Sequence, residues 1–221
     1  IKNPLASMRS AVESLAKVED PDLRAQLLDI ATHDVRRIDR LVTEISDASR
    51  VDAELSRATF EPIDMADLVA NIVATRDNRG LNRDHDIAIS RPTHPPLVMG
   101  VPVRLERVID NLLDNAISFS PPDGAVSIDI TYQGNEIAVR VSDRGPGIPE
   151  GSRDKVFQRF HSDRPEGEDF GNHSGLGLAI GRTIAEAHGG TLRVEDRPDG
   201  CEGASLVLTL PEARLKTEPA A

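Results

Sequence analysis

Hydrophobic positions along the chain fall into two regimes. Over residues 1 to about 56 their spacing is helical throughout. Leu5, Met8, Val12 and Leu15 recur at steps of three and four, which predicts a first amphipathic helix. Asp20-Pro21 then offers an N-cap followed by a proline at the first helical position, where its missing N–H costs nothing. Beyond that turn Leu28, Ala31, Val35, Ile38, Val42 and Ile45 form a heptad seam, flanked by Leu27, Leu41 and Ala48. The stripe is wider than a two-stranded coiled coil needs. Two such helices cannot bury it against each other alone, so the pattern predicts a helical hairpin that dimerises into a four-helix bundle. Packing of the hairpin onto the rest of the chain is the competing arrangement.

Ala58-Thr59-Phe60-Glu61-Pro62 reads as a linker, and an α+β pattern follows. Asp64 predicts a cap for a helix carrying Leu68, Val69, Ile72 and Val73. Ile87-Ala88-Ile89 and Leu97-Val98-Met99 read as short strands around a proline-rich turn. A long helix is predicted from about Pro102 to Ile117, with Leu105, Val108, Ile109, Leu112 and Ala116 on one face. Val126, Ile128, Ile130 and Tyr132, then Ile137, Val139 and Val141, alternate strictly and predict two strands joined by a tight hairpin at Gln133-Gly134-Asn135. A short helix near Lys155–Phe160, a helix from about Leu176 to His188 and strands at Thr191–Glu195 and Ala204–Leu210 complete the pattern. From Glu212 onward the chain has little to bury and is expected to be disordered. Antiparallel neighbours with three interspersed helices predict a single sheet covered on one face.

Composition narrows the function classes. A net charge of −11 argues against a non-specific nucleic-acid binder. The single Cys201 excludes a disulfide framework and a Cys-rich zinc site, and suits a reducing compartment. No apolar run approaches the roughly 18 residues of a membrane span, and no signal peptide is present. The chain opens at Ile1 inside a helical pattern and reads as a piece of a longer protein.

Three constellations carry candidate chemistry. Asn111 and Asn115 lie four apart on the long helix, beside its apolar face. Asparagine is a weak helix former, and two in mid-helix invite a reason. Amide oxygens suit a hard cation such as Mg²⁺ shared with phosphates, or they bond only to neighbouring backbone. In Asp143-Arg144-Gly145-Pro146-Gly147-Ile148 the acid continues the inward parity of Ile137, Val139 and Val141. A carboxylate there needs a donor, and a ligand amine such as that of adenine is one. Gly145 and Gly147 would let backbone close on a flat ring; an ordinary Asp-Gly turn is the alternative. His173-Ser174-Gly175-Leu176-Gly177-Leu178 leads into a helix whose N-terminal N–H groups could meet phosphate. It is neither the dinucleotide fingerprint, since Ile180 stands where the third glycine belongs, nor a Walker loop. The polar stretch from His161 to Asn172, with Phe170, reads as a mobile lid, and Arg159 and Arg164 could reach phosphate.

Taken in order, the Asn box, the Asp-Gly-x-Gly box, Phe157-Gln158-Arg159-Phe160 and the Gly-Leu-Gly-Leu box resemble the ATP-binding domain of bacterial sensor histidine kinases, relatives of the gyrase, Hsp90 and MutL ATPases. Ile1-Lys2-Asn3-Pro4-Leu5 resembles the end of the family's H-box, usually His-Glu-x-x-Asn-Pro-Leu. The run from His33 to Leu41, with Ser118-Phe119-Ser120-Pro121, is most similar to ChvG/ExoS-type alphaproteobacterial kinases. The resemblance implies an α+β chain with three parts. They are a dimerisation and histidine-phosphotransfer hairpin at 1–56, a Bergerat-type α/β sandwich ATP-binding domain at 57–212 and a disordered tail at 213–221.

It also implies roles. Asn115 is similar to the family's Mg²⁺ ligand, and Asn111 occupies the position of the general-base Glu of the hydrolysing relatives. Asp143 would read adenine, with Gly145, Gly147 and Ile148 beside it and the Ser205 hydroxyl in support. Phe160, Ser174, Gly175, Leu176, Gly177 and Leu178 would complete the ATP site. Arg159 joins Asn111 as a catalytic candidate, and Asn3 matches the residue that positions water when the partner regulator is dephosphorylated. Pro4 fits a bend in that helix, and Ser118 replaces a lysine many members carry near phosphate. The phosphoacceptor histidine would precede Ile1 by two positions, and His33, with no H-box around it, reads as a surface residue. The implied function is the kinase core of a two-component system, using ATP and Mg²⁺ and acting on the receiver domain of a response regulator. The implied setting is a cytoplasmic homodimer, reaching a bacterial inner membrane only through segments outside this chain. A catalytically silent phosphotransfer adaptor or a regulator phosphatase of the same architecture is the alternative.

Overall fold

The computed structural model describes residues 2–18, 20–32, 35, 38, 58–82, 85–159 and 175–213. Helix α1 spans Lys2–Leu15. Helix α2 covers residues 21–32, with 35 and 38 also helical. Between them the expected cap is in place: Asp20 Oδ1 accepts from the backbone N–H of Asp22 at 2.9 Å and of Leu23 at 3.5 Å. Among the described residues Val12, Leu23, Leu28, Ile30 and Val35 are exposed, with Leu28 and Val35 on one face of α2 and Leu23 and Ile30 on another. The remainder of the expected second helix, His33 and the boundary at 56/57 lie outside the described residues.

The α+β part begins earlier than the sequence pattern suggests. Glu61–Asp64, half of which was expected to be linker, forms strand β1. Four residues that include Pro62 are too few to show an alternation. Asp64 then caps α3 (Met65–Asn78), accepting from Ala66 N–H at 2.8 Å and Asp67 N–H at 3.3 Å. After β2 (Ile87–Ser90) and β3 (Leu97–Gly100) comes α4, Pro102–Phe119. Proline at its start is tolerated, and Ser120, extended because Pro121 follows it, ends the helix. Strands β4 (Val126–Gln133) and β5 (Glu136–Ser142) form the expected hairpin, with Gly134 at φ 64°. The short helix expected near Lys155–Phe160 is instead a pair of 3-10 turns, Glu150–Ser152 and Lys155–Phe157, after which Gln158 is extended. Helix α5 (Gly177–Ala187) and strands β6 (Thr191–Glu195) and β7 (Ser205–Pro211) follow.

Among the described residues there are two sheets rather than one. β1 and β3 pair antiparallel, and the main sheet runs β2-β4-β5-β7-β6. Its β2–β4 pair is parallel, with Ile87 opposite Val126 and Ile89 opposite Ile128, so the sheet is mixed. The physical reason is the connection: β3 and α4 intervene between β2 and β4, and a crossover of that length returns the chain in the same direction. One sheet face carries Ile128, Ile130, Ile137, Val139, Val141, Leu192, Leu206, Leu208 and Leu210. These pack with Leu105, Val108, Ile109 and Leu112 of α4, Ile180 and Ile184 of α5, and Val69 and Ile72 of α3. Each such side chain contributes about 1.5–3 kcal/mol of burial. The opposite face is polar, with Glu195 bonded by Arg140 and, at 2.6 Å, by Arg193.

Order continues past the point where side-chain burial stops. Glu212 N–H donates to Asn135 O at 2.9 Å and Ala213 N–H to Leu97 O at 2.7 Å, so these two residues are tied down by backbone bonds alone. The expected disorder from Glu212 is therefore corrected for Glu212 and Ala213; residues 214–221 lie outside the description.

His188 fastens the far ends of α4 and α5. Its Nε2 accepts from Val101 N–H at 3.1 Å, which places the ring proton on Nδ1, donating to Ile184 O at 2.8 Å. Phe60 lies against the ring, 4.9 Å between centroids. Burial lowers the His188 pKa below its ordinary 6.5, against a smaller opposing effect of the Ile184 bond. The unfolded chain therefore takes up a proton first. Stability from this group is complete above about pH 6.5 and declines as pH falls toward the folded-state value. Denaturant unfolding should show lower stability at pH 5.5 than at pH 8, and His188→Gln should flatten that dependence.

Candidate functional site

Strand parity determines what surrounds Asp143. The residue follows Ser142 at the end of β5, continues the inward side of Val139 and Val141, and is 6% exposed. Its Oδ1 accepts from Gly145 N–H at 2.8 Å and Ala204 N–H at 3.1 Å. Among the described residues none donates to Oδ2. Burial raises the Asp143 pKa, against the two backbone bonds and the nearby charge of Arg197. A half-satisfied buried carboxylate at the rim of an apolar core is a receptor for one further N–H donor.

The same parity corrects the reading of Ser205. Ser205 pairs with Ser142 across the sheet, and their hydroxyls bond to each other at 2.7 Å. They occupy the face opposite Asp143, because adjacent strand residues point to opposite sides. The position beside the acid is Ala204, which has no hydroxyl. The expected support for adenine from Ser205 is therefore not provided by its side chain.

Helix α4 joins the Asp143 loop to the glycine loop before α5. Asn111 Nδ2 donates to Gly177 O at 3.1 Å, and a Cβ on Gly177 would stand 3.3 Å from the Asn111 amide. Two turns further on, a Cβ on Gly145 would lie 2.6 Å from Phe119 O. Gly145 is thus demanded by the backbone of α4, whatever approaches from outside. Asn115 stands midway on this stripe, half-buried, its side-chain amide without a hydrogen bond to another described residue. From Asn111 to Phe119 the helix rises about 12 Å. Gly175 (φ 69°) precedes α5, and no side chain among the described residues caps that helix.

Asn115 and the unpaired oxygen of Asp143 fit what the sequence pattern asks of them: a neutral oxygen for a hard cation and an acceptor for an amine. Among the described residues no group of three His, Cys, Asp or Glu could hold a metal ion. A cation here would take few protein ligands. Gly147 (φ 77°) lies against Gly203, Ile148 and Leu178 are half-buried, Leu176 is buried, and Arg159 is exposed. Phe160, Ser174, the segment around Phe170 and Arg164, and the side chains of Asn3 and Pro4 lie outside the described residues.

One supporting group was not foreseen. Arg76 of α3 is buried and reaches Asp110 at 2.9 Å, Asp114 at 2.6 Å and, through Nε, Asn82 Oδ1 at 3.2 Å. Burial alone would lower its pKa, but Asp114 and Asp110 together raise it. Each aspartate immediately precedes one of the two asparagines, so this clamp sets the rotation of α4. The sequence carries a trace of it: Arg76 continues the stripe of Val69, Ile72 and Val73 at helical spacing.

Residues 100–214, just over half of the chain, match the family described as histidine kinase-, DNA gyrase B- and HSP90-like ATPases. The chain belongs to that ATPase family. Residues 1–54 match the His Kinase A (phospho-acceptor) domain. The sensor protein ChvG of Rhizobium meliloti is 46% identical over 221 residues, covering 96% of this chain and 38% of that protein. The expected likeness to ChvG-type kinases is borne out, and the chain spans well under half the length of that relative. A solved mycobacterial sensor histidine kinase, MprB, aligns with TM-score 0.59 and 32% identity over 69% of this chain and 97% of its own. The histidine kinase ThkA, solved in complex with the response regulator protein TrrA, shares the fold with TM-score 0.76 and 23% identity, covering 96% of this chain and 58% of that one. The helical region followed by an α/β sandwich agrees with the fold class expected for such ATPases.

Arg76→Met should destabilise the protein by about 2 kcal/mol, less than the loss of a fully buried partner because both aspartates can rehydrate. Calorimetric melting checks this.

Proposed function

We propose that this chain is the ATP-binding and phosphotransfer core of a two-component sensor histidine kinase, with a nucleotide domain at 57–212 and a dimerising hairpin at 1–56. The observation that carries the reading is the α4 stripe. Asn111 holds the glycine loop, Asn115 offers a free amide, and the end of the helix supports the loop bearing Asp143. In this reading Asp143 Oδ2 accepts the adenine amine and Asn115 contributes an oxygen to Mg²⁺. The backbone at Gly175 and Gly177 faces the phosphates.

ATP, when bound, supplies the γ-phosphoryl group. The contribution of the chain is positioning, because phosphoryl transfer asks little covalent chemistry of the protein. Asn111 stands where hydrolysing relatives have a base, and an amide cannot take a proton from water at neutral pH. That favours transfer to an imidazole nitrogen over hydrolysis. The N–P bond forms on a histidine ahead of Ile1 as the bond to the ADP oxygen breaks, and the group passes on to a receiver-domain aspartate. In this reading Arg159, which is exposed, is available to the transferring phosphate, and Asn3 to the dephosphorylating water.

The exposed seam residues Leu28 and Val35, with exposed Val12 of α1, support dimerisation through the hairpin. A response-regulator partner is supported by the complex of ThkA with a response regulator protein, and in this reading the hairpin receives it. Among the described residues no helix is long and apolar enough to cross a membrane. Independently of that, the reading assigns membrane attachment to segments outside this chain, with this part on the cytoplasmic side.

Titration with adenosine phosphates tests the site. Asp143→Asn should weaken Mg²⁺-ATP and metal-free ATP alike by at least about tenfold, the cost of a charge-assisted bond. Asn115→Ala should weaken Mg²⁺-ATP more than metal-free ATP, and equal losses would remove the metal role. A chain extended to place His-Glu immediately before Ile1 should acquire acid-labile phosphate from ATP. If it stays unlabelled, the kinase reading fails.

A further inference from the structure

The loop between β6 and β7 meets Asp143 through Arg197, Gly203 and Ala204. Arg197 in that loop has a side chain only 7% exposed. Its Nε donates to Asp199 Oδ1 at 2.9 Å, its Nη2 bonds the other Asp199 oxygen, and its Nη1 donates to the backbone carbonyl of Asp143. Asp199 is in turn held by Cys201 N–H at 3.1 Å. The guanidinium is thus seated bidentately on one carboxylate and spends a remaining arm on the residue whose side chain meets the core. Arginine's planar fork is suited to this, since it can bond two acceptors in fixed relative positions.

Gly203 and Ala204 show that the approach is built into the backbone. Gly203 has φ 132°, and a Cβ there would overlap the Asp143 carbonyl oxygen and come within 2.9 Å of Arg197 Cδ. Next to it, Asp143 N–H donates to Ala204 O at 3.0 Å, and Ala204 N–H returns to Asp143 Oδ1 at 3.1 Å. Amide, carbonyl and one carboxylate oxygen of Asp143 are therefore all engaged by residues 197–204. Only Oδ2 is left over.

We infer that Arg197, anchored on Asp199, is the positioning residue that aims Asp143 Oδ2 at the base, so that discrimination for adenine depends on the β6–β7 loop. The inference rests on the adenine reading of Asp143 given above. Arg197 touches no nucleotide in this account; it acts through the peptide plane of Asp143 and through its charge beside a carboxylate that burial disfavours.

The test compares ATP with inosine triphosphate, which lacks the exocyclic amine, using calorimetric titration of the intact chain. The wild type should prefer ATP. Arg197→Met, similar in length but without donors, should cut that preference about tenfold while leaving inosine triphosphate affinity within about twofold, the scale of one charge-assisted hydrogen bond. Arg197→Lys should recover part of it. A folded Arg197→Met protein with an unchanged preference would overturn the inference. Should that variant fail to fold, Asp199→Asn, at an exposed side chain, reads the same effect: a reduced preference supports the role, and an unaltered one overturns it. Asp143→Asn separates the two layers. If it leaves the preference intact, the adenine reading and the inference fall together. If it abolishes the preference while both loop variants keep it, the inference alone falls.

Discussion

An ionised carboxylate at the edge of an apolar core is tolerated only where donors replace its lost water. The rim of the main sheet is arranged around that constraint. Asp143 enters the inward row after Val141 because strand parity leaves it no other side, and two backbone N–H groups meet one of its oxygens. The second oxygen is left for something else. Much nearby detail follows from this: the glycine at 145 that fits beneath the end of α4, the glycine at 203 that lets the next loop close, and the Arg197 charge that offsets burial.

Helix α4 gives this carboxylate a fixed relation to the glycine loop before α5. One row of its surface carries Asn111, Asn115 and Phe119, while the adjacent aspartates face Arg76 of α3. A helix clamped by an ion-paired arginine on one side and a packed sheet on another cannot rotate freely about its axis. The asparagine pair is therefore presented as a rigid edge. His188 adds a second tie, so α5 is held to α4 at both of its ends, and α4 to α5 at its start and its middle.

Legibility in the sequence followed the range of the interaction. Periodic elements were plain: the β4–β5 alternation, the α4 face and the Asp20 and Asp64 caps all depend on neighbours within a few residues. The inward direction of Asp143 was readable for the same reason. What could not be read depended on distant partners. The parallel β2–β4 pairing is a matter of chain crossover, and β1 exists because β3 offers it bonds. Arg76 and Arg197 take their roles from Asp114 and Asp143, partners that only the fold brings to them. The Ser205 reading came from motif resemblance, and a one-residue displacement in a strand moved its hydroxyl to the other face. The ATPase-family assignment drew on motif order across the whole chain, which survives such local slips.

The backbone bonds of Glu212 and Ala213 bear on how the molecule can be handled. Because these residues join the β4–β5 turn to β3, the chain at Glu212 and Ala213 is sewn across two sheets. A cut upstream of this seam would leave the Asn135 and Leu97 carbonyls bare and free the small sheet from the large one at that corner. A reporter grafted beyond Ala213 would instead pull on a stitched hem, and mechanical load applied there would reach the β3 edge before it reached the core.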